Sequence, residues 1–293
     1  MAVEDGKMLD FSMEMLQKLI DSRTETWADM MASLPARGYE MMKLREEAGF
    51  TARIAVKKPK GAPRGILIVC AGGGFRFKSY NEALPVAEYF YEKGLGTAIL
   101  DYHVKNQGMI GIDAETNRMA GDYGLEAIRY LRAKAERYNI LADHIAIGGF
   151  SAGGMLSGYA ATQFDLGGET GVSSRPDAAL ILYGAFSATS SVPTTLGGMS
   201  REEIVKANKV DNARNIKVNS PPMFVFQTHD DDPRIALNFC MELAMHGVPY
   251  EIHTFENGPH GGGLYNGKDE TPDEPHTAMW AEIAADWLIR KGY

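Results

Sequence analysis

Short, predominantly apolar segments alternate along most of this chain with longer segments of helical periodicity. Apolar runs of this kind are typical of strands buried on both faces of a parallel sheet. They occur at residues 66–70, 96–100, 144–148, 178–183, 223–227 and 250–255. Between them, apolar residues recur every three or four positions, which predicts helices at 81–93, 115–138, 154–161 and 274–291. The alternation predicts an α/β fold, with one doubly wound, mostly parallel sheet and helices on both of its faces.

The first part of the chain departs from this alternation. Residues 8–34 carry an apolar stripe at helical spacing, which predicts a helix that a proline then ends. Residues 50–56 alternate apolar and polar side chains, as a half-buried edge strand does. We therefore expect a helical extension over residues 1–45, serving as a lid or an oligomer contact, before an α/β domain over 46–293. Within that domain, the long segment 184–220 is a candidate partial cap.

Composition narrows the class of protein. The 293 residues are 45% hydrophobic and 23% charged, values typical of a globular protein. A net charge of −8 argues against nucleic acid or an anionic membrane surface as a partner. No apolar run approaches the roughly 20 residues that span a bilayer, and the acidic N-terminus does not resemble a signal peptide. With two cysteines, Cys70 and Cys240, we expect no disulfide framework and a cytoplasmic location.

A G-x-S-x-G pentapeptide at residues 149–153 is the strongest chemical signal in the sequence. It lies between the apolar run 144–148 and the helix of small residues at 154–161. Strand, sharp turn and helix are the context in which this motif exposes a nucleophilic serine. The turn also places that serine near a helix N-terminus, where backbone N–H groups have no partner within the helix. Ser151 is therefore the candidate nucleophile.

A run of glycines, residues 72–74, directly follows the buried strand at 66–70. Glycine lets a backbone approach a ligand closely and direct N–H groups at it. One interpretation is a phosphate cradle for a dinucleotide, with Asp101 as the ribose-binding acid, although the G-x-G-x-x-G pattern is absent. The other is an oxyanion loop of the HGGG type. The downstream pentapeptide favours the second interpretation.

A serine hydroxyl needs a base and a group that orients the base. Of the seven histidines, His260 lies in a Gly/Pro loop after the last predicted strand, where the base of a Ser–Asp–His order belongs. The candidate acids are Asp230, Asp231 and Asp232, which follow the strand at 223–227. A metal site is a further interpretation of this acidic triplet, but it lacks a second ligand cluster. We expect neither a metal nor a cofactor.

Four stretches, in the same order, resemble the motifs of one known family. They are Ala71-Gly72-Gly73-Gly74-Phe75, Gly149-Phe150-Ser151-Ala152-Gly153-Gly154, Thr228-His229-Asp230-Asp231-Asp232-Pro233 and Gly258-Pro259-His260-Gly261-Gly262-Gly263-Leu264. From near residue 50 to the C-terminus, the chain is similar to the α/β-hydrolase esterases of the acetyl-xylan esterase and BD-FAE-like group. It departs from that family at Ala71, where many relatives carry His or Pro, and at residues 234–236, where many carry Val-Val-Pro.

The resemblance implies an α/β-hydrolase fold in which Ser151 is the nucleophile, Asp232 the acid and His260 the base. The implied protein is a serine hydrolase that cleaves carboxylic esters with a small acyl group, such as acetyl groups on carbohydrates, through an acyl-enzyme. The expected partner of this protein is then a small-molecule ester, and a homo-oligomer is a further possibility. The alternatives are a peptidase or other acyl hydrolase on the same fold, and a non-catalytic binding protein that uses the fold.

The resemblance also implies the oxyanion donors beside this triad. They are backbone amides, namely those of Ala152 and of Gly73 or Gly74. Apart from the resemblance, Phe75, Arg76, Lys78 and Tyr80 lie at or just past the oxyanion loop and are candidates for substrate contacts, with solvated loop residues as the alternative interpretation.

Overall fold

The described part of the chain forms one sheet flanked by helices. The computed structural model describes residues 13–47, 49–104, 114–164, 171–184 and 212–293. Its strands are β1 (Glu40–Glu47), β2 (Phe50–Lys57), β3 (Arg64–Cys70), β4 (Gly96–Asp101), β5 (Ile140–Phe150), β6 (Ala178–Leu182), β7 (Met223–Thr228) and β8 (Tyr250–Phe255). They lie in one eight-stranded sheet in the order β1-β2-β4-β3-β5-β6-β7-β8. β1 and β2 are antiparallel to their neighbours, and all other pairs are parallel.

The helices cover both faces of this sheet. They are α1 (Met13–Ser33), α2 (Leu84–Glu92), α3 (Ala114–Ala133), α4 (Ala135–Tyr138), α5 (Ala152–Thr162), α6 (Arg234–Met245) and α7 (Met279–Arg290). Side chains of α3, α4, α5 and α6 form one buried layer with alternate strand residues such as Ile66 and Ile68. Side chains of α1, α2 and α7 form the opposite layer with the intervening residues, such as Leu67 and Val69. The predicted doubly wound α/β fold is confirmed.

The first strand corrects the predicted domain boundary. β1 pairs with β2 along its length, so residues 40–47 belong to the sheet, and the boundary expected between residues 45 and 46 falls inside a strand. The pattern did not reveal this strand because it lies at the sheet edge, where exposed Lys43 and Glu46 interrupt the apolar positions. The candidate cap at 184–220 lies largely outside the described residues, which stop at 184 and resume at 212.

Parallel pairing brings the carboxyl ends of the central strands to one edge of the sheet. Cys70 of β3 pairs with Gly149 of β5, and Phe150 pairs with Leu182 of β6. The loops that follow β3, β5, β6, β7 and β8 therefore all emerge at this edge, where ligands bind in open α/β sheets. None of the helices in the described ranges is long and apolar enough to traverse a bilayer.

Helix α1 is attached to the sheet through a buried carboxylate at the end of β4. The indole Nε1–H of Trp27 donates to Asp101 Oδ1 over 2.8 Å, and Lys78 Nζ donates to the same oxygen over 2.5 Å. Asp101 is 4% exposed and Lys78 6% exposed. Because these donors already occupy Asp101, the carboxylate is not available to a ribose, and the dinucleotide interpretation loses its acid.

Replacing Trp27 with Phe tests this attachment. The variant keeps an aromatic ring but removes the indole donor from a buried carboxylate, so we expect the free energy of unfolding to fall by about 1–3 kcal/mol. Urea unfolding measures the change. The matched control is Leu19→Ala, on the exposed side of the same helix, which should cost no more than about 0.5 kcal/mol. Equal effects of the two variants would show that the indole does not anchor α1.

Candidate active site

Ser151 stands on a sharp turn between β5 and α5. Its backbone is strained, with φ 51° and ψ −117°. A Cβ on Gly149 would lie 2.2 Å from the Gly153 carbonyl oxygen, and one on Gly153 would lie 2.1 Å from the Cys70 carbonyl oxygen. Only glycine fits at these two positions, since backbone packs directly on backbone there. The strand–turn–helix predicted around the pentapeptide is present.

Two other loops bring an imidazole and a carboxylate to this serine. His260 Nε2 lies 2.8 Å from Ser151 Oγ, and His260 Nδ1 lies 2.5 Å from Asp231 Oδ2. With a proton on Nδ1, the imidazole donates to Asp231 and accepts from the serine hydroxyl. Gln227 Nε2 also donates to Asp231 Oδ2, over 3.0 Å, which fixes the carboxylate. Nucleophile, base and acid are thus joined by hydrogen bonds at the carboxyl edge of the sheet.

The choice of Asp232 as the acid is wrong in this structure. Asp232 turns away from His260 and receives Arg234 Nε and Nη2 at 2.7 and 2.8 Å. Its Oδ1 also accepts the Arg234 amide at 3.1 Å, so it binds the first amide of α6. The reason is a 3₁₀ turn over His229–Asp231, after which Asp232 adopts a left-handed conformation and points elsewhere.

The third aspartate also has a distinct partner. Asp230 Oδ2 accepts the Gly258 amide over 2.8 Å, which holds the start of the loop that carries His260. The three consecutive carboxylates therefore bind a loop, an imidazole and a helix start. One signal in the sequence pointed to this division, because an arginine two residues after Asp232 can reach back to it.

Several groups act together on the protonation of His260. Burial lowers the pKa of the imidazole, but the hydrogen bond and charge of Asp231, and then the charge of Glu82, outweigh it. The net effect holds the pKa of His260 above its ordinary value. The side chain is still 40% exposed, so water and substrate can reach it.

The glycine loop after β3 lies beside the serine. A Cβ on Gly72 would lie 2.9 Å from Ser151 Cβ, so the two backbones are in contact. Gly73 and Gly74 follow with φ of +125° and +61°, conformations that favour glycine. Within the described ranges, the amides of Gly73, Gly74 and Ala152 make no hydrogen bond to protein, whereas the Gly72 amide is bound to Glu82. These three amides are the ones expected as oxyanion donors.

The residues expected to contact the substrate differ in how accessible they are in the structure. The Phe75 side chain is fully buried and packs edge-on against Tyr102, with ring centroids 6.1 Å apart, so it does not reach a substrate and that prediction is wrong. The loop turns at Phe75, where φ is 58°, and directs the ring into the core. Arg76 is 6% exposed, and its Nη2 has no hydrogen-bond partner within the described ranges. Tyr80 is half-buried in the short turn that follows the loop.

A cavity of about 600 Å³ lies against the residues that follow the glycine loop. Phe77 and Lys78 line it from the loop, Trp27 from α1, and Phe50 and Arg53 from β2. Ser151 and His260 are not among its lining residues. The geometry of hydrogen bonds, rather than cavity size, therefore identifies the reactive centre.

Sequence reasoning missed Glu82, a carboxylate that is 2% exposed beneath the glycine loop. Glu82 Oε2 accepts the Gly72 amide over 2.7 Å, and Oε1 accepts the Tyr183 hydroxyl over 2.6 Å. Burial raises the pKa of Glu82, although Tyr183, His260 and Gly72 favour its charged form. A glutamate at the start of a predicted helix is normally solvated, so its type and position gave no warning.

Titration of the His260 imidazole can distinguish the roles of Asp231 and Asp232. Asp231→Asn removes the main group that raises the pKa of His260, so that pKa should fall below the wild-type value. Asp232→Asn, the matched control, should leave it unchanged, because Asp232 pairs with Arg234. Nuclear magnetic resonance of labelled histidine, assigned with a His260→Gln variant, measures both. A larger shift in Asp232→Asn would restore the acid expected from the sequence.

Comparison with known proteins places this geometry in a wider context. Residues 116–282, which include Ser151, Asp231 and His260, match the family model described as the prolyl oligopeptidase family. The chain is also 28% identical over 211 residues to endo-1,4-beta-xylanase B of Butyrivibrio fibrisolvens. That match spans 68% of this chain but only 32% of the xylanase, so the chain covers about a third of that relative's length.

Solved structures share the fold over most of the chain. An acetyl ester-xyloside bifunctional hydrolase from Caldicellulosiruptor lactoaceticus superposes with a TM-score of 0.72 at 24% identity, covering 86% of this chain and 96% of the other. A sugar hydrolase from Lactococcus lactis superposes with a TM-score of 0.71 at 25% identity, covering 86% and 98%. These superpositions support the α/β-hydrolase fold for this chain.

Proposed function

We propose that this chain, which belongs to the prolyl oligopeptidase family, is a serine hydrolase that cleaves carboxylic esters through an acyl-enzyme on Ser151. The observation that carries the proposal is the continuous hydrogen-bonded path from Ser151 Oγ through His260 to Asp231. A hydroxyl joined to an imidazole, which is joined in turn to a carboxylate, is the arrangement that activates serine for acyl transfer. The free amides beside Ser151 supply the complementary site for negative charge.

The reaction follows from this geometry. As Ser151 Oγ bonds to the ester carbonyl carbon, its proton passes to His260 Nε2, and the carbonyl oxygen becomes an oxyanion. Amides of Ala152 and of Gly73 or Gly74 donate to that oxygen, each contributing about 3–4 kcal/mol in comparable sites. Asp231 stabilises the imidazolium, which then gives its proton to the leaving alkoxide as the C–O bond breaks. Water, activated by the same imidazole, releases the acyl group and restores the serine.

We further propose that the acyl group is small, such as acetyl, and that the alcohol is a carbohydrate. The support is the kind of protein to which the chain is similar: an acetyl ester-xyloside bifunctional hydrolase, a sugar hydrolase and a xylanase. Glycosidic cleavage fits the described site poorly, because it uses two carboxyl groups that face the sugar. Here Asp231 is bound to His260 and Glu82 is bound beneath the loop.

A peptidase is the second candidate, and the family description is the observation that favours it. The same serine chemistry cleaves amides when the site also protonates a poor amine leaving group and holds the peptide. Prolyl p-nitroanilide substrates test this candidate directly. The third reading, a binding protein without catalysis, is disfavoured because all three groups of the triad lie within hydrogen-bond distance.

The cellular setting and the extension belong to the proposal as well. We propose a cytoplasmic location, supported by Cys70 and Cys240, which are buried free thiols rather than a disulfide. We also propose that the N-terminal extension serves as a lid or an oligomer contact, supported by the packing of α1 beside the loop that carries Lys78. The proposed partner of the protein is a small-molecule ester.

Hydrolysis of p-nitrophenyl esters, from acetate to octanoate, tests the esterase assignment. The wild type should turn over acetate best, with rates falling as the acyl chain lengthens, and Ser151→Ala should lose at least about 10³-fold in kcat because the nucleophile is gone. Ser157→Ala is the matched control. Its hydroxyl bonds the Gly153 carbonyl within α5, and kcat should stay within about threefold of the wild type. Equal activity in wild type and Ser151→Ala would mean that another group performs the reaction.

The pH dependence of kcat/KM follows from the protonation of His260. The imidazole acts as a base only when neutral, so kcat/KM should rise with pH through the pKa of His260, with a midpoint above the ordinary value of about 6.5. Asp231→Asn should lower kcat by about 10²–10⁴-fold, since the imidazolium loses its partner. Asp232→Asn should stay within about threefold of the wild type. A midpoint below 6 would contradict the electrostatics described for this site.

A further inference from the structure

We propose that Glu82 is a positioning residue that holds the oxyanion loop and the histidine loop in register and supports the imidazolium formed on His260 during acyl transfer. The inference rests on the proposed function, which it extends to a residue outside the triad. Three observations carry it: the contact of Glu82 with Gly72, its contact with Tyr183, and the charge that it places near His260.

The first observation concerns the oxyanion loop. Glu82 Oε2 accepts the Gly72 amide over 2.7 Å. A Cβ added at Gly72 would also lie 2.7 Å from this oxygen. The same imagined Cβ would lie 2.9 Å from Ser151 Cβ. The carboxylate therefore fixes the loop at the residue that touches the nucleophile. Turning the Gly72 amide inward leaves the next two amides, those of Gly73 and Gly74, for the oxyanion.

The second observation concerns Tyr183, which follows β6. Its hydroxyl donates to Glu82 Oε1 over 2.6 Å and accepts the Gly263 amide over 3.1 Å. Gly263 lies in the loop that carries His260, and the Tyr183 ring lies against the imidazole with centroids 4.9 Å apart. The path from Gly72 through Glu82 and Tyr183 to Gly263 thus joins the loops after β3, β6 and β8. All of its atoms are buried, so water does not compete for these bonds.

The third observation is electrostatic. When the proton of Ser151 moves to His260 Nε2, the imidazole gains a positive charge that two carboxylates can stabilise. Asp231 does so by direct contact, and Glu82 by its charge across the buried region beneath the loop. An anion in a water-poor environment acts more strongly than one in solvent. Burial raises the pKa of Glu82, and the hydrogen bonds that both of its oxygens accept, together with the charge of His260, act against this and favour the ionised form.

The two tyrosines near His260 stay neutral. Burial raises the pKa of Tyr183 well above its ordinary value, and the charge of Glu82 raises it further. Burial likewise raises the pKa of Tyr265, whose hydroxyl donates to the Pro259 carbonyl. Asp230 accepts the Gly258 amide at the start of the loop that carries His260. Among the described residues, the carboxylates of Asp231 and Glu82 are therefore the charges that act most on the imidazole.

Glu82→Gln tests the proposal, because it keeps the size of the side chain and removes its charge. The pKa of His260, read by nuclear magnetic resonance, should fall by about half a pH unit or more. In the p-nitrophenyl acetate assay, kcat should fall about 10–100-fold while KM stays within about threefold, since the lost interaction acts in the transition state. A His260 pKa equal to that of the wild type would overturn the electrostatic role.

A second variant separates geometry from charge and remains informative if Glu82→Gln does not fold. Tyr183→Phe removes the hydroxyl that links Glu82 to Gly263 but keeps the carboxylate. It should lower kcat about tenfold, while the pKa of His260 should fall less than in Glu82→Gln, because the carboxylate is kept although it loses the hydrogen bond that favours its charged form. Wild-type kcat in Tyr183→Phe would overturn the positioning role.

The matched control is Asp177→Asn at the opposite end of the sheet. Asp177 Oδ2 accepts the Ile145 amide over 2.9 Å and pairs with Arg132, so it imitates the bonding of Glu82 away from the site. This variant should lose stability but keep the wild-type kcat and His260 pKa. Equal losses of kcat in Asp177→Asn and Glu82→Gln would show that Glu82 has only a structural role. If the wild type hydrolyses no ester, the proposed function fails, whereas the titration still decides whether the charge of Glu82 reaches His260.

Discussion

The first turn of α5 lies directly on the carbonyl end of β3, with no side chain between them. The nearest approach is at Gly153, where an added Cβ would be 2.1 Å from the Cys70 carbonyl oxygen. This contact brings the elbow serine and the loop after β3 together, since the two loops leave neighbouring parallel strands at the same edge. The imidazole and its acid then arrive from loops after β8 and β7, further along that edge. The geometry of the whole site therefore depends on one place where backbone packs on backbone.

Buried carboxylates connect the loops at this edge. Asp101 receives Trp27 and Lys78, while Glu82 receives the Gly72 amide and the Tyr183 hydroxyl. An unpaired buried charge costs several kcal/mol, so each anion requires donors from its surroundings. Here the donors come from different segments of the chain. Satisfying each charge thus ties segments together that the sheet alone would leave independent.

The features that could be predicted from the sequence are those that require particular residue types at particular positions. Glycines at the elbow and apolar runs in the strands are imposed by local backbone packing, so Ser151, His260 and the α/β fold could be read directly. The acid could not, because Asp231 and Asp232 are identical neighbours and only the turn over His229–Asp231 decides which one faces the imidazole. The role of Glu82 could not be predicted from the sequence for another reason. Its partner Tyr183 is 101 positions away, and a contact at that separation leaves no local pattern.

In the proposed mechanism, the carboxylates of Asp231 and Glu82 have two opposing effects on the base. They stabilise the imidazolium that forms as the serine attacks, which lowers the barrier of that step. They also raise the pKa of His260 in the resting protein, so a larger fraction of the imidazole is protonated and inactive at any given pH. Burial opposes this rise, and it is the largest single influence on the group. The depth of the histidine loop, held by Gly258 and Gly263 at its two ends, therefore adjusts the pKa of the base in the direction opposite to its carboxylate partners.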